Sequence, residues 1–585
     1  MKIISRTYCS IFLVFLLFCP LLHSESQWQN VKTWIYNEQP FTDSSNGSQY
    51  LVPANHWIYD SIRMLTLETG AVSLVNKSPL SAAELEVFFN DICYERLSPY
   101  GKKLYNNAEK WFSSIKIEKK GLPLNLSLQP SLNLAFFYRN TNHIYPEFDY
   151  RDIPPLFSMP VSISALNYAY LYYDLSVLQR YEFANSAFRF TNISFSDNEY
   201  DGTISHLSHL SLGVPIRGRN FWNFKIGKGG LNIGHTATPS IILSDRMETA
   251  TYAQLTFFGS NIRYAGNVTQ LAVNKYLYYH TLDFRLFKRI TISAIEGVMV
   301  NAPFELTYLN PLELFHGLQA WNFYKDYNRD LSATVFPDNG DSRVGSLLAL
   351  SAEINPWKYS RLYFLFQMNQ YQLSYETKTI PNAIGCQSGL DIIFPLKNGY
   401  LTANIEGLWT SPYMYKLENK NWSFCMNRRG FYGSGQFQWT GGGEVSGPDT
   451  IMAQISSGFS APGKWNCNTF YRFLIQGAMH KNTAANENGF WKTFPGKDNN
   501  GKPDNNKEKA LAMATVKTPT GIPQYTHRLG IEGSYILNRH FKFKGYSGFA
   551  YRINNDNKYG NPVFGFEAAV AAEFSIFGGK KTIIQ

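Results

Sequence analysis

Several things are scarce in this chain. Past its first two dozen residues it has no long apolar run, and its mean hydropathy is −0.25, which excludes a polytopic helical membrane protein. Only 17% of its 585 residues are charged. Lys and Arg (54) exceed Asp and Glu (44), a formal net charge of +10, yet the excess is spread thinly and forms no basic block of the kind that binds nucleic acid. There are six cysteines and no CxxC, so a zinc site is not expected. No HExxH, GxSxG or GxxxxGK[ST] occurs, which removes support for zinc peptidase, serine hydrolase and P-loop chemistry. What is abundant is aromatic and small: 16% aromatic residues, with Tyr 38, Phe 43 and Gly 43. A disordered chain lacks that content; a large β protein with aromatic surfaces has it.

The first segment reads as an address. Lys2 and Arg6 precede the apolar stretch Ile11 to Leu22, and His23 and Ser24 follow. A basic region, a short apolar region and a small residue at the cut describe a secretory signal, residues 1–24, cleaved after Ser24. Bulky Phe18 before Cys19 and Pro20 after it argue against a lipid-modified cysteine. Cys93, Cys386, Cys425 and Cys467 then remain, either as single thiols or with Cys425 joined to Cys467.

Residues 25–121 form a separate helical region by their patterning. Asn55 can cap a helix carrying Ile58, Ile62 and Leu65 on one face, with Gly70 to end it. Ser81 and Glu84 have capping-box spacing ahead of Leu85, Phe88, Phe89 and Ile92. Ser98-Pro99 opens a third helix with Leu104, Ala108, Trp111 and Phe112 along one side.

From residue 122 to 585 the period is two. Leu282, Phe284 and Leu286 alternate with Asp283 and Arg285; Lys288-Arg289 can then turn the chain into Ile290. Leu529 and Ile531 alternate with Arg528 and Glu532. Phe564 to Ile576 alternates throughout, in even positions apolar and in odd positions small or charged. Such strands need two solvents, or a solvent and a core. A soluble sandwich satisfies that too. Three features favour a membrane barrel: segments of about ten residues, long enough to cross when tilted; tyrosine clusters at Tyr168 to Tyr173 and Tyr276 to Tyr279, where interfacial girdles would sit; and a last strand ending in Phe574 to Phe577, of the type that outer-membrane assembly machinery reads. The expected fold is a mostly β, closed antiparallel transmembrane barrel of about 18 strands, with 16 to 20 acceptable, preceded by a small helical periplasmic region. Polar stretches at 140–155, 197–202, 324–341, 375–385, 419–448 and 482–523 become outward loops, the last containing the Asn-rich Asp498 to Asn506.

One series of segments resembles a known family. It comprises Phe221 to Leu231, Ile241 to Asp245, Tyr276 to Leu286, Pro303 to Leu306, Tyr308 to His316, Pro381 to Gly385, Asn398 to Thr402 and Ser411 to Tyr413. Their order and spacing are similar to the capsule-assembly Wzi family of outer-membrane β-barrels, over about residues 213–465. One departure is Asn232 to His235, where the family usually shows a Trp-Gly-Pro-Gly-like turn. The resemblance implies a non-catalytic surface protein that binds polysaccharide and supports a capsular layer, with no cofactor. Its partners would be surface polysaccharide, outer-membrane lipids and, during biogenesis, the barrel-assembly machinery. The candidate contacts are Ser244, Asp245, Asn310 and His316 in the signature segments, and Trp321, Tyr324, Arg329, Arg428, Arg429 and Trp439 in loops. Aromatic faces suit the C–H surfaces of sugars, planar polar groups suit hydroxyls, and arginines suit acidic sugars or lipid phosphates. Self-packing or interfacial anchoring is the competing account of the loop aromatics, and a turn role that of Asn310-Pro311. Two other functions stay open: a porin or uptake channel for small or hydrophobic solutes, and a hydrolase using Glu296 and Glu305 as paired carboxylates.

Overall fold

The computed structural model describes residues 48–117, 124–148, 153–179, 188–193, 200–201, 204–214, 222–245, 250–311, 315, 344–371, 381–416, 423–429, 437–441, 447–479 and 515–577. Here strand follows strand, each hydrogen-bonded to its neighbours. The first nine are β1 (Leu124–Leu128 and Ser131–Arg139), β2 (Phe157–Ala165), β3 (Ala169–Gln179), β4 (Ile204–Leu212), β5 (Trp222–Gly229), β6 (Ala250–Phe258), β7 (Ile262–Ala272), β8 (Lys275–Leu286) and β9 (Ile290–Asn301). The second nine are β10 (Val344–Ile354), β11 (Ser360–Gln370), β12 (Ala383–Leu396), β13 (Gly399–Thr410), β14 (Thr450–Ala461), β15 (Trp465–Gln476), β16 (Gln524–Ile536), β17 (Phe541–Ile553) and β18 (Val563–Ser575). The sheet is antiparallel, and it closes: β18 pairs with β1 from Glu567↔Arg139 to Ser575↔Ser131. Two short pieces, Arg189–Thr191 and Tyr200–Asp201, extend β1 and β3 locally. The molecule is thus an 18-stranded closed barrel, as the alternation predicts.

The two faces are as different as the two-residue period requires. Outward positions are apolar and exposed, among them Leu529 (52%), Ile531 (48%), Phe564 (55%) and Val570 (59%). Inward positions are polar and buried: Arg263, Asp283, Arg361, Glu406 and Arg528. Backbone amides cannot stay unpaired in hydrocarbon, so a sheet with this outer surface has to close on itself. Where a tight turn is needed the chain supplies it. Phe287 and Lys288, with φ of 53° and 58°, turn β8 into β9 at the place the sequence suggests, in the left-handed backbone that matches strand twist.

One end of the barrel carries short connections, such as 166–168, 259–261, 287–289, 397–398 and 462–464; the other carries the long ones. The helical region lies at the short-turn end and contributes no strand to the barrel sheet. It contains α1 (Trp57–Glu68), α2 (Ala82–Phe89) and α3 (Pro99–Ile115). Ser81 and Glu84 form the expected capping box, and Ser98 caps α3 with Pro99 in its first turn. The α1 cap is His56 rather than Asn55: its Nδ1 accepts from the Ile58 N–H. The helices share one core with barrel residues Ile393, Tyr400 and Ala461, and the Tyr400 hydroxyl donates to Glu68 at 2.6 Å.

Two expectations are corrected. In the stretch 140–155 the described residues do not form an outward loop; Ile144 and Ile153 are buried. The tyrosine clusters are split between the two faces: Tyr173, Tyr276 and Tyr278 point outward. Tyr170 and Tyr279 face the interior, 2% and 3% exposed, because consecutive tyrosines on a strand point to opposite faces. Cys93, Cys386, Cys425 and Cys467 are free thiols.

Outward and inward positions should differ in their tolerance of charge. Ile531→Arg should destabilise the folded barrel by about 2–4 kcal/mol in vesicles. Glu532→Gln, one residue along and facing inward, should change it by less than about 1 kcal/mol. Denaturant titration of the two refolded variants measures both.

Candidate functional site

The interior is crossed by segments entering from both ends. From the short-turn end, the chain between α1 and α2 runs into the lumen. From the long-loop end, the connection after β5 folds down to meet it. They join in a two-residue antiparallel ladder, Asn232↔Ser78 and Ile233↔Lys77, extended where the Gly234 N–H donates to the Asn76 carbonyl at 2.8 Å.

Charged wall residues hold both pieces. Glu84, at the start of α2, receives Lys225 of β5 at 2.6 Å, Arg263 of β7 at 3.2 Å and the Asn223 amide at 2.8 Å. Arg263 also reaches Asp283 of β8 at 3.3 Å, and Asp283 pairs with Lys77. Burial alone would raise the Glu84 carboxyl; Lys225 and Arg263 outweigh it and hold it at about 2. Burial draws the Lys77 ammonium down to about 8 against the opposing pull of Asp283. The connection after β5 is pinned along its length. Glu406 of β13 accepts from the Ala237 and Thr238 amides at 2.8 and 3.0 Å, and Gln387 of β12 from Ile241 at 3.0 Å. Arg361 of β11 donates to the His235 carbonyl at 2.7 Å. Burial, with Arg63 and Arg361 nearby, keeps the His235 imidazole well below its ordinary pKa and so neutral. Ile233, Ile241, Ile242 and Leu243 complete the fit against Tyr279, Met299, Leu347 and Leu365 of the wall.

A second inward segment spans the opposite wall. Glu147, in the connection after β1, is held by Arg472 of β15 at 3.0 Å and Arg528 of β16 at 2.9 Å. Its own N–H donates to Glu567 of β18 at 2.9 Å, and Phe148 packs on Tyr546 at 4.9 Å between ring centres.

Of the ten candidate contacts only Ser244, Asp245 and Asn310 have described side chains, and Asn310 does not converge with the other two. Ser244 is fully buried in the lumen segment, and Asp245 beside it is exposed. Asn310 lies outside the barrel, exposed, at the end of a 3-10 turn over Leu306–Leu309. The wall of the barrel therefore separates Asn310 from Ser244. His316, Trp321, Tyr324 and Arg329 lie outside the described residues, as do the sugar-facing candidates' neighbours in 324–341 and the Asn-rich 498–506. The backbones of Arg428, Arg429 and Trp439 belong to a two-stranded hairpin, Cys425–Arg429 with Phe437–Gly441, apart from the barrel sheet; their side chains lie outside the described set. Glu296 is on the outer face of β9, opposite His280 in register, and Glu305 lies in the segment beyond it, so neither lines a lumen cleft. No cluster of metal-ligating side chains occurs among the described residues. The residues that organise the interior (Glu84, Lys225, Arg263, Asp283, Glu406, Glu147) were missed by sequence reasoning. Glu84 reads there only as a capping-box residue, Glu147 as part of an outward loop and the others as inward polar positions, and the partner is 100 or more residues away in most cases.

No protein-family model matches the chain, and no curated protein matches it by sequence. Among solved structures it is similar to Wzi of Escherichia coli, an outer-membrane protein involved in group 1 capsule assembly and described as a carbohydrate-binding β-barrel. That likeness has a TM-score of 0.51 at 10% identity and covers 89% of this chain and 99% of the other. OprD of Pseudomonas aeruginosa is more distant, with a TM-score of 0.38 at 10% identity over 78% of this chain and 96% of that one. OmpT of Vibrio cholerae, as a loop-deletion mutant, has a TM-score of 0.29 at 8% identity over 77% and 99%. At 10% identity the likeness to Wzi concerns the fold alone: the chain is an 18-stranded closed β-barrel.

The Glu84 clasp sets a pH dependence. Its carboxyl is depressed in the docked state, so its stabilisation is fully present above the ordinary carboxylate pKa of 4.5 and is lost as pH falls toward about 2. Protease susceptibility of the helical region in micelles should rise through that interval. Glu84→Gln leaves Lys225 and Arg263 without their carboxylate; docking should weaken by about 3–5 kcal/mol at pH 7, with a flatter acid response.

Proposed function

We propose that this outer-membrane barrel is non-catalytic and non-conducting, binds surface polysaccharide, and supports assembly or attachment of a capsule or similar surface glycan. In this reading the helical region faces the periplasm and the long connections face outward. A signal over residues 1–24 directs export, and the Phe574 to Phe577 end addresses the assembly machinery. One observation carries the proposal: two segments from opposite ends meet in mid-lumen and are fastened to the wall by buried ion pairs and backbone hydrogen bonds. A channel gains nothing from such a cross-brace, whereas a scaffold whose ligand stays outside does. The shared fold with a carbohydrate-binding barrel supports the ligand class.

A second reading, an uptake channel for small or hydrophobic solutes, draws on a different observation. Gln367 Oε1 and Asn369 Nδ2, on the inward face of β11, are buried without a partner among the described residues, a polar lining that the cross-brace does not satisfy.

Planar-bilayer recording with parallel polysaccharide binding separates the two. The glycan reading expects no single-channel steps from the intact chain, steps after deletion of residues 232–241, and saturable binding of native surface polysaccharide. Clear conductance with no polysaccharide binding would reverse the ranking.

A further inference from the structure

Residues 302–311 and Phe315, after β9, do not rise off the rim. They fold back along the outside of the wall. On β8 and β9 the inward residues are Tyr279, Asp283 and Met299, so Tyr278, His280, Val298 and Val300 point outward. In a barrel these positions meet lipid, yet Tyr278 and Val298 are 0% exposed. Tyr308 and Phe315 cover them, with Tyr308 5.0 Å from Tyr278 and Phe315 4.7 Å from His280, ring centre to ring centre. Two outward tyrosines fasten the strap. The Glu305 N–H donates to the Tyr278 hydroxyl at 3.2 Å, and the Tyr264 hydroxyl of β7 donates to the Pro311 carbonyl at 3.3 Å.

The strap has an outer surface of its own. Phe304 is 48% exposed, Leu306 74% and Leu309 41%. Phe304 and Leu309 match Leu255, Phe257 and Leu350 on the bare wall to either side in kind and exposure, and Leu306 stands further out. The apolar belt is therefore continuous from wall to strap. Beneath it, His280 and Glu296 sit opposite one another in register, an ionisable pair on a surface where hydrocarbon penalises charge.

We propose that residues 302–311 and Phe315 are a lipid-seated strap. Acyl chains of the leaflet at the long-loop end pack on Phe304, Leu306 and Leu309, and the strap takes the place of lipid over His280 and Glu296. The inference is independent of the glycan reading, since it concerns the outer wall alone.

Photo-crosslinking tests it. Benzoylphenylalanine is placed at Leu306 or Leu309 in the full chain, reconstituted in phosphatidylethanolamine–phosphatidylglycerol vesicles with tagged acyl chains. Ile455 on the outer face of β14 serves as the lipid reference and Arg539 in the β16–β17 turn as the aqueous one. Heat-modifiable gel mobility selects folded protein. Adducts at Leu306 and Leu309 should come within about threefold of Ile455, as a hydrocarbon-facing position requires. Adducts as few as at Arg539, or adducts to a second polypeptide in place of lipid, would overturn the proposal.

Discussion

A strand in hydrocarbon has no water to pair its amides with, and nearly everything else in this molecule follows from that. The sheet has to close, which β18 does against β1. Closure creates an inside, and the inside faces of 18 strands carry polar side chains that must find partners of their own. The protein solves this by bringing chain into the lumen from both ends. The result inverts an ordinary globular domain: apolar outside, and inside a core that mixes ion pairs with an aliphatic cluster around Ile241, Ile242 and Leu243.

The ionic part of that core works as a docking code. Glu84 is the centre of it. The same carboxylate closes the capping box of α2 and receives Lys225 and Arg263, so helix start and docking position are one event. Because Arg263 also meets Asp283, and Asp283 meets Lys77, the strand pair in mid-lumen is coupled to the helix cap through four buried charges in series. A charge network of this kind adds little net stability compared with apolar packing, but it is intolerant of misplacement, since each unpaired member is costly.

The barrel was readable because its period is unambiguous. Leu529 and Ile531 against Arg528, and Phe564 to Phe574 against Glu567, assign faces that the structure keeps. The capping residues Ser81 and Ser98 were readable for the same reason: their physics is local. What was not readable depends on partners far along the chain. Nothing near Glu147 announces that it turns inward to Arg472 and Arg528 and not outward to solvent. The segments that resemble one another's counterparts in a single family do not form a single site. Ile241 to Ser244 plugs the lumen, while Tyr308 to Pro311 lies on the opposite surface of the same wall. Resemblance in sequence order carries no information about which side of a sheet a loop will choose.

The mid-lumen ladder has a mechanical meaning. Lys77 and Ser78 belong to the helical side of the molecule, Asn232 and Ile233 to the long-loop side, and their backbones are directly bonded. Tension applied to the rim through the connection after β5 would pass into the wall at Arg361, Gln387 and Glu406, and through this ladder into the helices as well. The barrel thus contains a tie between its two ends, two residue pairs long, so that a pull on one end is shared with the bundle at the other.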